Sequence, residues 1–301
     1  MVNATYRFEI EPRGPFRLSE SIRFIEGFPA AGLRASADAA LRLAFVVDGT
    51  DLPAAVDIRQ AELDGPVLVG VTSDVGEDDV RRQVARLLSL DYDGSGFPDV
   101  GRRDPVVGRL QDEHPGFRPT GFWSPYEAAV WAITSHRIQM TQAAKVKAAI
   151  ARGFGTTVHH DGQDLVAFPA PSVLAEADLS SVAGLGGRKP EWLRGIAHAA
   201  RDGVLDAERL RSVPSDEAMA TLQRLSGVGP FSAELILIRG AMTVDVPPAH
   251  EGRLLKAMAA AYDLPEEVDA STLDRIVDGW APFRTWTTVL MRTSLEIPVA
   301  A

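Results

Sequence analysis

The stretch Leu225-Ser226-Gly227-Val228-Gly229-Pro230-Phe231-Ser232-Ala233 holds the residues best suited to gripping a ligand. Apolar residues at helical spacing precede it (Met219, Leu222, Leu225) and follow it (Ala233, Ile236, Leu237), so the glycines join two helices. Glycine allows positive φ and puts no side chain between the backbone and a bound group. The amides of Gly227, Val228 and Gly229, with Ser232 in the next helix's first turn, can therefore point at a phosphate. Pro230 falls at the first helical turn, where a missing amide costs least. An ordinary tight connection between packed helices uses the same residue types, so the motif alone leaves both readings open.

The elements around this hairpin are helical. Ser124-Pro125-Tyr126-Glu127 is a helix start, with a serine oxygen to cap the third amide, a glutamate to reach back and a proline preset for the first turn. That helix is expected to run toward Arg152. Further amphipathic segments follow at 172–177, 189–202, 216–225, 231–239, 252–262, 273–279 and 285–296, so residues 116–301 read as all-α. Before them, residues 1–115 mix short apolar runs (41–47, 66–72) with one helical stretch, 77–90, in which Val80, Val84 and Leu87 share a face. This is an α/β domain, and 91–120, rich in Gly, Pro, Asp and Arg, reads as a linker with little regular structure.

Composition sets outer bounds. A chain of 301 residues with 46% hydrophobic content can bury one large core or two modest ones, and two domains are expected. Glu9, Glu11 and several arginines interrupt the first thirty residues where a signal peptide needs an apolar run, so a soluble, cytoplasmic protein with no membrane partner is expected. Zero cysteines exclude disulfides, zinc–thiolate sites and iron–sulfur clusters. A net charge of −10 argues mildly against a polyanionic partner, although the local face decides.

Several blocks agree in order and spacing with one family. Ser124 to Ile133, Phe168-Pro169-Ala170-Pro171, Gly184-Leu185-Gly186 through Lys189, the hairpin, Leu237-Ile238-Arg239-Gly240, Asp245-Val246-Pro247-Pro248 and Pro282-Phe283-Arg284-Thr285 together resemble the helix-hairpin-helix DNA glycosylases. The resemblance is strongest to the 3-methyladenine DNA glycosylase II (AlkA-type) branch and covers roughly 125–292. It implies an α+β fold, in which a small antiparallel-sheet domain precedes the helical bundle. It further implies a monomer that acts on double-stranded DNA containing damaged bases, in base excision repair.

The resemblance also implies residue roles. Counting from Arg239-Gly240, the family's catalytic aspartate falls at Glu251, a longer carboxylate that still supplies the charge needed to stabilise an oxocarbenium-like sugar or orient water. The added methylene moves that charge by about one bond length, and a shift near 1 Å can cost on the order of 100-fold in rate. His250 beside it could assist with water or touch a phosphate. Bifunctional relatives carry a lysine in the hairpin block where this chain has Phe231, so no Schiff base forms and a monofunctional enzyme is expected. Phe231 and Phe283 match aromatic walls of the family's base pocket, with Phe16, Trp123 and Trp280 as weaker candidates. His136 and Arg137 take the place of the family's glutamine and apolar wedge. Arg137 falls on the apolar stripe Tyr126, Val130, Ile133, Met140, Ala144, where it either snorkels or faces DNA.

No side-chain metal site or other cofactor is expected, while a metal ion held by hairpin carbonyls stays open. Three activities remain in play: excision of alkylated purines, damage sensing without turnover, and excision of an unusual bulky adduct.

Overall fold

The computed structural model describes residues 4–27, 40–248, 252–265 and 270–296. Glu251 and His250 therefore lie outside the described residues.

The N-terminal part is the expected α/β unit. Strands β1 (Thr5–Ile10), β2 (Leu41–Val46), β3 (Pro53–Gln60) and β4 (Val67–Ser73) form an antiparallel sheet in the order β1-β4-β3-β2. The register sets Phe8 opposite Val69, Val71 opposite Val56, and Val56 opposite Leu43. These apolar residues share one face and bury themselves under two helices, α1 (Leu18–Glu26) and α2 (Glu77–Leu87). Helix α2 begins with Glu77, Asp78 and Asp79, whose charges suit a helix N-terminus, and it turns Val80, Val84 and Leu87 inward as their spacing predicts.

Two expectations need correction here. The segment 91–120 contains helices α3 (Phe97–Arg103) and α4 (Pro105–Glu113); Asp104 caps the second by accepting from the amides of Val106 and Val107. Pro98 and Pro105 sit at the starts of these helices rather than breaking them. Phe97, Val100, Val107, Leu110 and Phe117 share a core with Leu254, Met258, Trp280 and Trp286, so the boundary expected at residue 115 falls inside common packing.

The helical part comprises α5 (Pro125–Thr134), α6 (Met140–Phe154), α7 (Pro171–Glu176), α8 (Lys189–Arg201), α9 (Ala207–Ser212), α10 (Ser215–Leu222), α11 (Pro230–Leu235), α12 (Gly252–Ala261), α13 (Ala270–Asp278) and α14 (Arg284–Glu296). It is not all-α: strands β5 (Thr156–His160) and β6 (Gln163–Ala167) form a hairpin whose Val158 and Ala167 pack on Ala44 and Ala55, on the back of the sheet. The expected long helix breaks at 135–139, which separates α5 from α6. Every residue of α5 is buried, which makes it the axis of the bundle. Ser124 Oγ accepts from the Glu127 amide at 3.0 Å as expected, but the Glu127 carboxylate pairs with Lys147 Nζ at 2.9 Å instead of reaching back to the cap. Among the described residues no helix is long and apolar enough to cross a membrane.

Candidate nucleic-acid interface and active-site loop

Gly227, Val228 and Gly229 connect α10 to α11, and each is fixed for a different reason. Gly227 has φ 85°, and a Cβ there would lie 2.7 Å from the Trp192 ring and 2.8 Å from Ile133 Cδ1. Val228 is buried in the bundle core and donates its amide to Leu225 O. Gly229 departs from the expectation of positive φ: it is extended (φ −92°, ψ −178°), and nothing among the described residues lies within 4 Å of an added Cβ. Neither backbone strain nor packing among the described residues requires a glycine there. Ser232, expected to face a ligand, is buried.

Trp192 joins this hairpin to the 135–139 turn. Its ring meets His136 edge-on at 5.9 Å, and the Arg188 guanidinium lies 5.6 Å from its centre. Lys189 Nζ donates to Thr134 O at the end of α5. Burial lowers the pKa of His136, and the charges of Lys189 and Arg137 lower it further, so the ring is neutral at pH 7. Arg137 does not continue a helical stripe; it sits in the turn with φ 55° and its side chain exposed.

Helix α11 runs without interruption into a π-turn, Ile236–Gly240, which packs on the start of α5: a Cβ on Gly240 would lie 2.8 Å from Pro125 Cα. From there the chain enters the loop that leads to residue 251. Arg211 holds the beginning of this loop through the carbonyls of Ala241 and Met242. Asp245 holds its middle: Oδ1 accepts from Arg284 N (3.0 Å) and Nε (2.8 Å), and Oδ2 from Nη2 (2.8 Å). The Thr285 amide donates to Val244 O, and the Val246 amide to Thr285 Oγ1. Burial pushes the Asp245 carboxyl up, but these bonds outweigh it and leave the group below its ordinary range. The block Pro282-Phe283-Arg284-Thr285 thus serves to anchor this loop.

The aromatic candidates separate. Phe231 is 51% exposed, two residues beyond Gly229. Phe283 is buried among Tyr92, Phe97 and Trp286, at ring distances of 5.9, 5.4 and 5.1 Å; Tyr92, 38% exposed, forms the open edge of that cluster. Phe16 and Trp280 are core residues rather than open ring faces. Phe16 lies under the sheet-side helices, and the Trp280 Nε1 donates to Tyr262 Oη and Asp104. Trp123 is likewise closed into the sheet-side core.

Sequence reading missed the partly buried Phe24. The Arg239 guanidinium lies 4.6 Å over its ring and Phe117 meets it at 6.1 Å, which ties α1 to the end of the π-turn. The signal was present: α1 buries Leu18, Ile22 and Ile25, and Phe24 is an apolar residue off that stripe.

The fold is shared with solved DNA glycosylases. Over 95% of this chain and 97% of the other, it superposes on a 3-methyladenine DNA glycosylase from Archaeoglobus fulgidus with a TM-score of 0.77 at 22% identity. An 8-oxoguanine glycosylase/lyase from Clostridium acetobutylicum, solved with double-stranded DNA, gives 0.68 at 18% identity over 94% and 93%. In sequence the chain resembles the 3-methyladenine, AlkA-type branch. A DNA-3-methyladenine glycosylase of Bacillus subtilis is 22% identical over 69% of each chain. DNA-3-methyladenine glycosylase 2 of Escherichia coli is 33% identical over 47% of this chain and 50% of its own length, so the match spans half of that relative. No family model matches the chain.

Proposed function

We propose that this chain is a monofunctional DNA glycosylase that removes alkylated purine bases from double-stranded DNA. The observation that carries the reading is Gly229. It is an extended glycine with open space, among the described residues, where a Cβ would be, two residues before the exposed Phe231 and two after Gly227, which packs on Trp192. A glycine that the fold itself does not need is what close approach of a backbone phosphate requires. Relatives named as 3-methyladenine glycosylases and fold neighbours solved with DNA support the same reading.

In this reading the hairpin amides grip the phosphate backbone and Phe231 offers its ring to the rotated base. A cationic alkylated purine gains from a π-face, and it already leaves readily, so no general acid is needed. The bond from the sugar C1′ to the base nitrogen breaks, the electron pair departs with the base, and positive charge develops on the sugar. Glu251, six residues after Asp245 in the sequence, carries the carboxylate that stabilises this charge. Water then adds to C1′ and its proton passes to the carboxylate or to solvent. The hairpin position of Phe231 holds no amine, so the product is an intact abasic strand that is cut only on alkali treatment.

The test is release of free base from methylated duplex DNA by wild type and Glu251→Gln. Release by wild type, with a loss of about 100-fold or more in the variant, supports the reading. Release by both moves catalysis to another residue. Release by neither, with damage-dependent binding retained, favours a sensor.

A further inference from the structure

We infer that Asp91 is a positioning residue for the reaction proposed above: through Arg211 it sets the course of the chain at 241–246, and so the place of the Glu251 carboxylate, without touching DNA or the base. This rests on that reading, and it gives a function to a segment, 91–120, whose composition suggests only a linker.

The first observation is strain at the start of the loop. Ala241, just past the π-turn, is still right-handed (φ −77°, ψ −15°), whereas Met242 is a buried non-glycine residue in the left-handed region (φ 60°). Such a residue stays there only where its surroundings fix it. Two neighbours do so. Gly121 leaves room for the Met242 side chain: a Cβ there would lie 2.5 Å from Met242 Sδ and 2.9 Å from Arg239 O. Arg211, on α9, takes both carbonyls, with Nε donating to Ala241 O and Nη2 to Met242 O at 2.9 Å.

The second observation is what aims Arg211. Its Nη1 donates to Asp91 Oδ2 at 2.5 Å, so the three nitrogens of one planar group hold a carboxylate and two consecutive carbonyls. A rigid fork with one arm fixed has its other arms fixed too. Both side chains are partly exposed, and an ion pair in contact with water contributes little to stability through its charge. Its effect is on direction: without the carboxylate, the guanidinium can turn to solvent and release the carbonyls.

The third observation is that Asp91 is itself fixed, in common with the loop's other anchor. The Leu90 amide donates to Ala85 O at the end of α2, and Ser89, also left-handed (φ 56°), donates its hydroxyl to Pro119 O. The buried Arg118 donates to the carbonyls of Ser89 and Tyr92. Tyr92 in turn meets the rings of Phe283 and Trp286 at 5.9 and 6.1 Å. Those two rings flank Arg284 and Thr285 in sequence, the residues that hold Asp245 and Val246.

Two adjacent residues therefore govern both holds on the loop: Asp91 its start, through Arg211, and Tyr92 its middle, through the block 283–286. Removing the Asp91 carboxylate leaves the Asp245–Arg284 hold in place and frees the chain before it. A carboxylate that must face a charged sugar loses rate steeply when displaced by even about 1 Å. DNA held by its backbone at the Gly227–Gly229 hairpin does not depend on this loop, so the loss falls on rate and not on binding.

The experiment compares wild type, Asp91→Asn, Arg211→Gln and the double variant in three readouts: the single-turnover rate constant of base release from methylated duplex DNA, the affinity for that duplex, and amide hydrogen exchange. A rate constant, unlike its amplitude, does not change when part of a sample is unfolded, so a merely structural role leaves it alone. Asp91→Asn should lower it about 5- to 50-fold, with affinity within about twofold of wild type. The double variant should be no slower than Arg211→Gln, because Asp91 acts through Arg211. The amides of Ala241 and Thr243, which donate to Ile236 O and Leu237 O, should exchange faster in Asp91→Asn, while those of the α10–α11 hairpin do not. With base release by wild type, an unchanged rate constant in Asp91→Asn, losses that multiply in the double variant, or an affinity loss as large as the rate loss overturns the inference and leaves the proposed activity standing. Where wild type releases no base, the proposed activity falls and exchange decides: faster exchange at 241–243 supports the Asp91–Arg211 hold, and unchanged exchange overturns it.

Discussion

Gly227 and Gly229 are two residues apart and fail differently when given a methyl group. Gly227→Ala combines positive φ with collisions against Trp192 and Ile133, so a loss of about 2–4 kcal/mol in stability is expected by denaturant melting. Gly229→Ala meets nothing among the described residues, so its melting curve should match wild type while affinity for duplex DNA falls severalfold. Asp245 makes a third case. Its carboxyl titrates below its ordinary value of about 4, so its contribution is present above that value and is lost as pH falls through the lower folded-state value. Asp245→Asn should reduce single-turnover base release about 10- to 100-fold with little change in DNA affinity, because it displaces a loop rather than a contact. Equal losses in affinity and rate would show that this loop binds DNA instead. At this scale the sequence disclosed which residues matter better than why. The hairpin, Asp245 and Arg284 all stood in recognisable blocks. That Trp280 is a core ring bonded to Asp104, and that Phe24 stacks on Arg239, depends on contacts between segments more than 100 residues apart, and Phe16 is enclosed by strands and helices up to residue 90.

Helices with clean periodicity were legible, and the misses have physical causes. Helices α3 and α4 hide in a Gly- and Pro-rich stretch because proline at a first turn starts a helix and elsewhere ends one. The β5–β6 hairpin carried a readable signal, Asp161-Gly162 between Val158 and Leu165, and both turn residues take positive φ (47° and 74°). The helical surroundings masked it. This hairpin is clamped to the sheet by His160, whose Nδ1 lies 2.8 Å from Thr72 Oγ1 and whose Nε2 lies 2.9 Å from Asp57 Oδ1. A carboxylate only accepts, so Nε2 carries a proton. His160→Ala strands two polar groups in a mostly buried seam, and a loss of about 1–3 kcal/mol is expected. Hydrogen exchange should report it as faster opening of 156–167 and of the facing strands, β2 and β3, with the hairpin that holds Gly229 unaffected.

The described residues build three large cores: the sheet with α1 and α2, the bundle around α5 and α8, and the group formed by α3, α4, α12 and α14. The π-turn and Arg239 sit where they converge. The Arg239 amino group donates to Thr120 O, and the Phe122 amide donates to Arg239 O. The resemblance carried this architecture from sequence, including the antiparallel sheet that periodicity alone did not specify. It carried less about the junction, since no local pattern says that residues near 100 pack with residues near 280.

The cations around Trp192 have a consequence for how such a molecule finds its target. Arg137, Arg188 and Lys189 lie about Trp192, which packs on Gly227, with Arg188 paired to Glu191, in a chain whose net charge is −10. Near a polyanion, that edge is drawn in while the rest of the surface is pushed away, so encounters arrive already oriented. About three phosphate contacts give a slope near −3 for log affinity against log salt, and a salt titration yielding a slope of −7 or steeper would place a larger basic footprint elsewhere. With so few ions released, undamaged duplex is held weakly and for short times. Such a protein surveys a genome by many brief, correctly faced landings rather than by long travel along the helix.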